Sequence, residues 1–170
     1  KWTEKSIEAV SLAQNMASEK GNSQIEQEHL FFALLDQSNG LVFEIIKALG
    51  VNLSEIKSMV LDKIARLSVV SGASQVYSSN ELNNALIEAE KQANSMHDEY
   101  VSVEHLFLAM LRNPNRELKD DTSIVSLYCR EPRESLIFTG PPYHQEKDSY
   151  YAKTFMDFKG KKIFIDNFFK

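Results

Sequence analysis

Cysteine, proline and glycine are scarce in this chain of 170 residues, which contains one cysteine, four prolines and six glycines. The single cysteine, Cys129, allows no disulfide within the chain and no thiolate metal cluster, so a reducing compartment is expected. No apolar run approaches the ~20 residues that a membrane-spanning helix needs, and no signal peptide stands at the front. We therefore expect a cytoplasmic protein, or one of an organelle matrix if a transit peptide has been removed.

Sequence signatures of catalysis are also missing. A phosphate-binding loop needs Gly-x-x-x-x-Gly-Lys followed by Ser or Thr, and none of the six glycines begins one. No Gly-x-Ser-x-Gly motif accompanies Cys129 and His144, so a hydrolase built from this part of the chain has no support. The net charge of −5 argues against nucleic acid as the main partner. We expect no enzymatic activity and no cofactor.

What the chain does have is an internal repeat, because the segment around Glu28 and His29 returns, 76 residues later, around Glu104 and His105. A constant offset over many positions indicates a duplicated unit. The recurring residues are Glu28, His29, Leu30, Phe31, Ala33 and Leu35, at Glu104, His105, Leu106, Phe107, Ala109 and Leu111, preceded by Ala9, Ala13 and Ala17 at Ala85, Ala89 and Ala93.

Caps and apolar periodicity predict helices over about 3–20, 26–36, 41–49, 53–67, 79–97 and 102–111. Thr3 and Asn52 are the expected N-caps of the first and fourth. The first helix should bury a stripe of Ile7, Val10 and alanines, and alanines at every fourth position predict a face for close helix packing. One full repeat is thus four helices.

The helical pattern fails after about residue 118, where an aromatic-rich tail begins with short strands expected at 136–138 and 162–165. Three interpretations are open: a lineage-specific replacement for the missing helices, a fused segment that binds elsewhere, and a misread or frame-shifted carboxyl end. The abrupt break favours the last, which would leave the second repeat partly open. We divide the chain into repeat one (1–67), a connector (68–78), a truncated repeat two (79–120) and the tail (121–170).

The two Glu-His pairs raise the question of a metal site, since both residue types bind zinc. Neighbouring residues on a helix point about 100° apart, so one pair is not expected to chelate an ion. Stabilisation of a helix start is the expected role, because the positive end of the helix dipole favours a carboxylate in the first turn. His105, at the third helical position, can reach back to Ser102 as a capping-box residue does. No metal is expected.

The doubled Glu-His-Leu motif, the alanine rows and the connector at 70–79 resemble the Clp amino-terminal domain of the ClpB disaggregase type, over about residues 1–118. The resemblance implies an all-α fold of two tandem repeats related by a pseudo-twofold axis. It implies a substrate-recognition domain that binds unfolded or aggregated polypeptide for an ATPase ring absent from this chain. A groove between the repeats, with apolar walls and an acidic rim, would suit an extended chain with aliphatic and basic side chains.

The resemblance places substrate handling at Thr3, Asp98 and Glu104, and Trp2 and Tyr100 are added as apolar lining because they stand beside these positions. Thr3 and Glu104 have structural explanations, as an N-cap and as a partner of the helix dipole. Asp98 has the weakest structural explanation of the three, so it is the leading candidate for direct contact with substrate. The alternative is an adaptor-docking or stand-alone accessory module of a Clp protease complex, which a single stoichiometric folded partner would indicate.

Overall fold

The structure is a computed structural model that describes residues 1–71 and 75–119, together with the backbone of three strands between 137 and 166. Its helices are α1 (Glu4–Glu19), α2 (Gln27–Asp36), α3 (Leu41–Leu49), α4 (Leu53–Ala65), α5 (Asn80–Ser95) and α6 (Val103–Arg112). The two-residue strands β1 (Gln24–Ile25) and β2 (Tyr77–Ser78) pair in parallel. The predicted all-α architecture is therefore confirmed for residues 1–71 and 75–119.

Polar side chains start three of the helices. The Thr3 Oγ1 accepts a hydrogen bond from the Ser6 N–H at 3.2 Å, and the Asn52 Oδ1 accepts one from the Glu55 N–H at 3.1 Å. The Ser79 Oγ does the same at the start of α5. Because the first N–H groups of a helix have no partner within it, these caps fix where each helix begins.

Alanine rows pack the two long helices onto their neighbours, as the sequence predicts. The buried alanines are Ala9, Ala13 and Ala17 of α1, against α2, and Ala85, Ala89 and Ala93 of α5, against α6. The predicted stripe is wrong at Ile7, which is 54% exposed, while Ser6 takes the inward position. Burial of Ser6 is tolerated because its Oγ lies 2.9 Å from the Thr3 Oγ1.

The turns that follow α1 and α5 have the same backbone geometry. Each passes through one residue in the left-handed region, Gly21 at φ 67° and His97 at φ 60°. The next N–H then bonds back to the helix, from Asn22 to the Ala17 carbonyl and from Asp98 to the Ala93 carbonyl, both at 2.9 Å. Such bonds satisfy carbonyl groups at the end of a helix. The first helix of each repeat, α1 or α5, therefore ends in the same kind of turn.

A pseudo-twofold relation between the repeats follows from two parallel pairings. Ile25 lies opposite Ser78 in the β1–β2 pair. Their equivalents 76 residues away, Val101 and Trp2, lie opposite each other in a second parallel bridge. Exchanging the two repeats converts one pairing into the other, which confirms the predicted symmetry.

The tail contributes a three-stranded antiparallel sheet, β3 (Ile137–Phe138), β4 (Lys153–Phe158) and β5 (Lys161–Asp166), with β4 between the others. Strands expected at 136–138 and 162–165 are thereby confirmed. Cys129, His144 and the question of what the tail replaces lie outside the described residues. In the described part of the chain, no helix combines the length and the apolar character that crossing a bilayer requires.

Candidate functional site

The bridge between Trp2 and Val101 brings the first residues of the sequence beside the loop that precedes α6. The Val101 N–H donates to the Lys1 carbonyl at 2.8 Å, and the Thr3 N–H donates to the Val101 carbonyl at 3.0 Å. The two repeats therefore form one continuous surface here. We call it the bridge surface and define it by the five predicted site residues, Trp2, Thr3, Asp98, Tyr100 and Glu104.

All five residues of the bridge surface keep some exposure to solvent, and three of them offer groups that suit a ligand. Tyr100 is 43% exposed, and the Lys1 Nζ lies 5.4 Å from its ring centroid, within range of a cation–π contact. Trp2 and Glu104 are half-buried. Within residues 1–71 and 75–119, the Glu104 carboxylate has no hydrogen bond and no ion pair. This surface thus offers two aromatic rings and one unengaged carboxylate.

Asp98 has a structural partner, so the expectation that it has the least structural role is wrong. Its Oδ2 lies 3.0 Å from the Nε2 of His105, which is 1% exposed. The first repeat contains the same arrangement, with the Asn22 Oδ1 3.0 Å from the His29 Nε2. An Asn or Asp seven residues before each histidine was the sequence signal that could have revealed this pair.

Both histidine rings accept a backbone hydrogen bond at Nδ1. The Ser102 N–H donates to the His105 Nδ1 at 3.0 Å, and the Glu26 N–H donates to the His29 Nδ1 at 2.9 Å. A ring nitrogen that accepts an N–H bond carries no proton, so the proton is on Nε2 and points to the oxygen seven residues earlier. The predicted reach of His105 back to Ser102 is confirmed. Burial lowers the pKa of His29 to about 4.

Glu28 and Glu104 occupy equivalent positions but have different surroundings. Glu28 is 1% exposed, and its Oε2 accepts a hydrogen bond from the Asn115 Nδ2 at 2.8 Å. Burial raises the pKa of the Glu28 carboxyl above its ordinary range. The position in repeat one is therefore sealed by the segment after α6, whereas its counterpart Glu104 is half-buried and, among the described residues, has no such cover.

Gln27 holds that sealing segment, although nothing in the sequence pattern singles this residue out. Its Nε2 donates to the carbonyls of Glu81 at 3.0 Å and Asn113 at 3.2 Å, and its Oε1 accepts from the Asn115 N–H at 2.8 Å. The equivalent position in the second repeat is Val103, so Gln27 is not among the residues that the two repeats share.

A pocket of about 360 Å³ lies between α5 and 113–115, with Glu81, Ile87, Lys91 and Pro114 among its lining residues. None of the five residues of the bridge surface lines this pocket. Among the described residues, no three His, Cys, Asp or Glu side chains come together as a metal-binding group. The bridge surface and the pocket are therefore separate features.

The fold defines a tandem-repeat helical domain whose two copies build one surface jointly. The chain belongs to the family of the Clp repeat (R) N-terminal domain, whose profile matches residues 1–120. The chaperone protein ClpB of Nitratidesulfovibrio vulgaris is 36% identical over 118 residues, which are 67% of this chain and 14% of that protein. ClpB 2 of Nostoc sp. is 41% identical over 109 residues, 64% of this chain and 12% of that protein. The chain thus spans a small part of these relatives.

Solved structures show the same fold. The Hsp104 N-terminal domain from Candida albicans matches with a TM-score of 0.66 at 19% identity, covering 78% of this chain and 91% of that one. A ClpV N-domain in complex with a VipB peptide matches with a TM-score of 0.61 at 23% identity, covering 80% and 82%. These likenesses confirm the predicted fold of two Clp repeats.

Proposed function

We propose that this domain captures unfolded or aggregated polypeptide at the bridge surface and delivers it to the ATPase of a ClpB-type chaperone, located outside this chain. The domain itself would be non-catalytic and would work in the cytoplasm. The observation that carries the proposal is the exposed Tyr100 beside the half-buried Trp2 and the unengaged carboxylate of Glu104. The sequence similarity to ClpB chaperones supports the link to a chaperone of this type.

The chemistry of the surface suits an extended client segment with aliphatic and basic side chains. Aromatic rings offer large apolar area at little cost in side-chain entropy, which favours contact with exposed apolar groups. Asp98, Glu99 and Glu104 give the surface a negative local charge, and Lys1 offsets part of it through an exposed ion pair with Glu99 at 2.6 Å. Such a field attracts basic side chains and raises the association rate.

The test is a binding titration with a fluorescein-labelled polypeptide kept unfolded by reduction and carboxymethylation, followed by fluorescence anisotropy. We expect saturable binding to the whole chain and a loss of about tenfold in affinity for Glu104→Gln, since the partner's cation is left without its carboxylate. Glu90→Gln is the matched control, because it removes the same charge from an exposed position on α5. Equal affinities for both variants and the wild type would contradict the proposal.

A second candidate function is docking of a dedicated adaptor, which the ClpV N-domain bound to a VipB peptide favours. The same titration separates the two functions when the native form of the polypeptide is added as competitor. Client capture predicts that only the unfolded form competes. A folded protein that binds at fixed stoichiometry, and that the unfolded polypeptide does not displace, would indicate adaptor docking.

A further inference from the structure

We infer that Asp98 is a positioning residue, which acts through His105 to hold the loop at 98–102 and the start of α6 in the geometry of the bridge surface. This role differs from direct contact with a client, which the sequence alone favours for Asp98. The binding part of the inference rests on the proposed function, whereas its structural part does not.

The His105 ring ties together the two ends of the loop. Its Nε2 lies 3.0 Å from the Asp98 Oδ2, and its Nδ1 accepts from the Ser102 N–H at 3.0 Å. Val101, which pairs with Trp2, stands between these two anchors. The Ser102 Oγ also lies 2.8 Å from the His105 Nδ1. Loss of the bond to Asp98 would leave the Nε2 proton without an acceptor and favour the tautomer that carries its proton on Nδ1, which could donate to the Ser102 Oγ but could no longer accept the Ser102 N–H. The position of Val101 therefore depends on Asp98.

The first repeat makes the equivalent hydrogen bond to its histidine with a neutral side chain, that of Asn22. The Asn22 Oδ1 and the Asp98 Oδ2 lie at the same distance, 3.0 Å, from their histidine Nε2 atoms. What the position requires is thus an acceptor oxygen, and a negative charge is not needed for the bond. A carboxylate is tolerated at 98 because that side chain is 23% exposed and keeps part of its hydration, whereas Asn22 is buried.

The backbone at Asp98 is held by a hydrogen bond to the preceding helix. Its N–H bonds to the Ala93 carbonyl at 2.9 Å, directly after the left-handed His97. The corresponding bond in repeat one, from Asn22 to Ala17, has the same length. With the backbone and one carboxylate oxygen both engaged, the side chain points to His105 in the folded domain.

The test compares Asp98→Asn with Asp98→Ala in the whole chain, by two readouts. Long-range ¹H–¹⁵N spectra of the histidine rings report the tautomer of His105, and hydrogen exchange reports protection of the Ser102 amide. We expect Asp98→Asn to keep both signals and to bind the unfolded polypeptide within about twofold of wild type, because the amide oxygen replaces the carboxylate oxygen. Asp98→Ala should lose both signals and about tenfold in affinity.

Asn22→Ala is the matched control, since it removes the equivalent bond to His29 in the first repeat. It also removes the bond from the Asn22 Nδ2 to the Ser68 carbonyl, so we expect it to disturb His29 and the Ser68 contact and to leave the His105 tautomer and the Ser102 exchange unchanged. Two results would overturn the inference: affinity lost equally in Asp98→Asn and Asp98→Ala, or an unchanged His105 tautomer and Ser102 exchange in Asp98→Ala. If the wild-type chain binds no unfolded polypeptide, the proposed function fails, and the two spectroscopic readouts still decide whether Asp98 positions His105.

Discussion

Phe31 and Phe107 occupy equivalent positions in the two repeats and stack on each other, with ring centroids 5.9 Å apart and planes 10° from parallel. Both rings are fully buried, one on α2 and one on α6. Two equivalent residues in mutual contact must lie at the pseudo-twofold axis. The two repeats therefore share one core, and we expect them to unfold together.

A double-mutant cycle on this pair tests the shared core. Each of Phe31→Leu and Phe107→Leu should lower the free energy of unfolding by about 1–3 kcal/mol, because both rings are fully packed. The coupling energy between them should be about 0.5–1.5 kcal/mol. Urea unfolding followed by Trp2 fluorescence and by circular dichroism measures both quantities. Strictly additive effects, or transitions that differ between the two probes, would contradict a common core.

The buried neutral His29 predicts a loss of stability in mild acid. Its pKa is about 4 in the folded domain against an ordinary value of 6.5, so the unfolded chain binds a proton first as the pH falls. The stabilisation is complete above pH 6.5 and is lost toward pH 4, by roughly 3 kcal/mol over that window. Urea unfolding at a series of pH values measures it.

The control for this prediction is His29→Gln, which has no titrating ring at that position. Its curve should be flatter than the wild-type curve between pH 6.5 and pH 4, whatever its absolute stability. Parallel curves for the two proteins would show that His29 does not titrate as the buried geometry requires.

Glu28 predicts the opposite pH dependence. Because burial raises the pKa of its carboxyl, the charged form costs stability at neutral pH, and that cost fades as the pH falls. Glu28→Gln should therefore be more stable than wild type at pH 7, with a smaller difference at pH 5. Glu28→Ala should instead lose about 1–3 kcal/mol, since the Asn115 amide is left without its acceptor. Thermal unfolding of both variants at pH 7 and pH 5 measures these differences. A Glu28→Gln variant that is less stable than wild type at pH 7 would contradict a cost of the charged Glu28 carboxylate.

Local patterns predicted the helices, because capping and apolar spacing act within a few residues. Thr3 and Asn52 were recognisable N-caps, and His105 stands where a capping-box residue stands. Ile7 was misplaced because hydrophobicity alone cannot show that Ser6 is inward. The aligned residue of repeat two, the buried Leu82, carries that information.

The partners of the site residues were harder to predict, because they depend on tertiary geometry. The bond from Asp98 to the ring seven residues later becomes predictable only when Asn22 and His29 are compared with it across the repeat. Nothing in the sequence indicates that Gln27 holds a segment 86 residues away. Glu28 is sealed and Glu104 is half-buried because different segments pack over them, and the residues that the two repeats share cannot encode that difference.

The central claim is that the two repeats jointly present one polypeptide-binding surface, and amide chemical shifts measure it most directly. The unfolded, carboxymethylated polypeptide is titrated into the ¹⁵N-labelled whole chain. We predict that the shift changes concentrate at 1–3 and 98–104, while the equivalent segments at 77–79 and 22–28 stay unchanged. Changes centred on the α5 pocket near Ile87, or spread equally over both equivalent sets, would contradict the account.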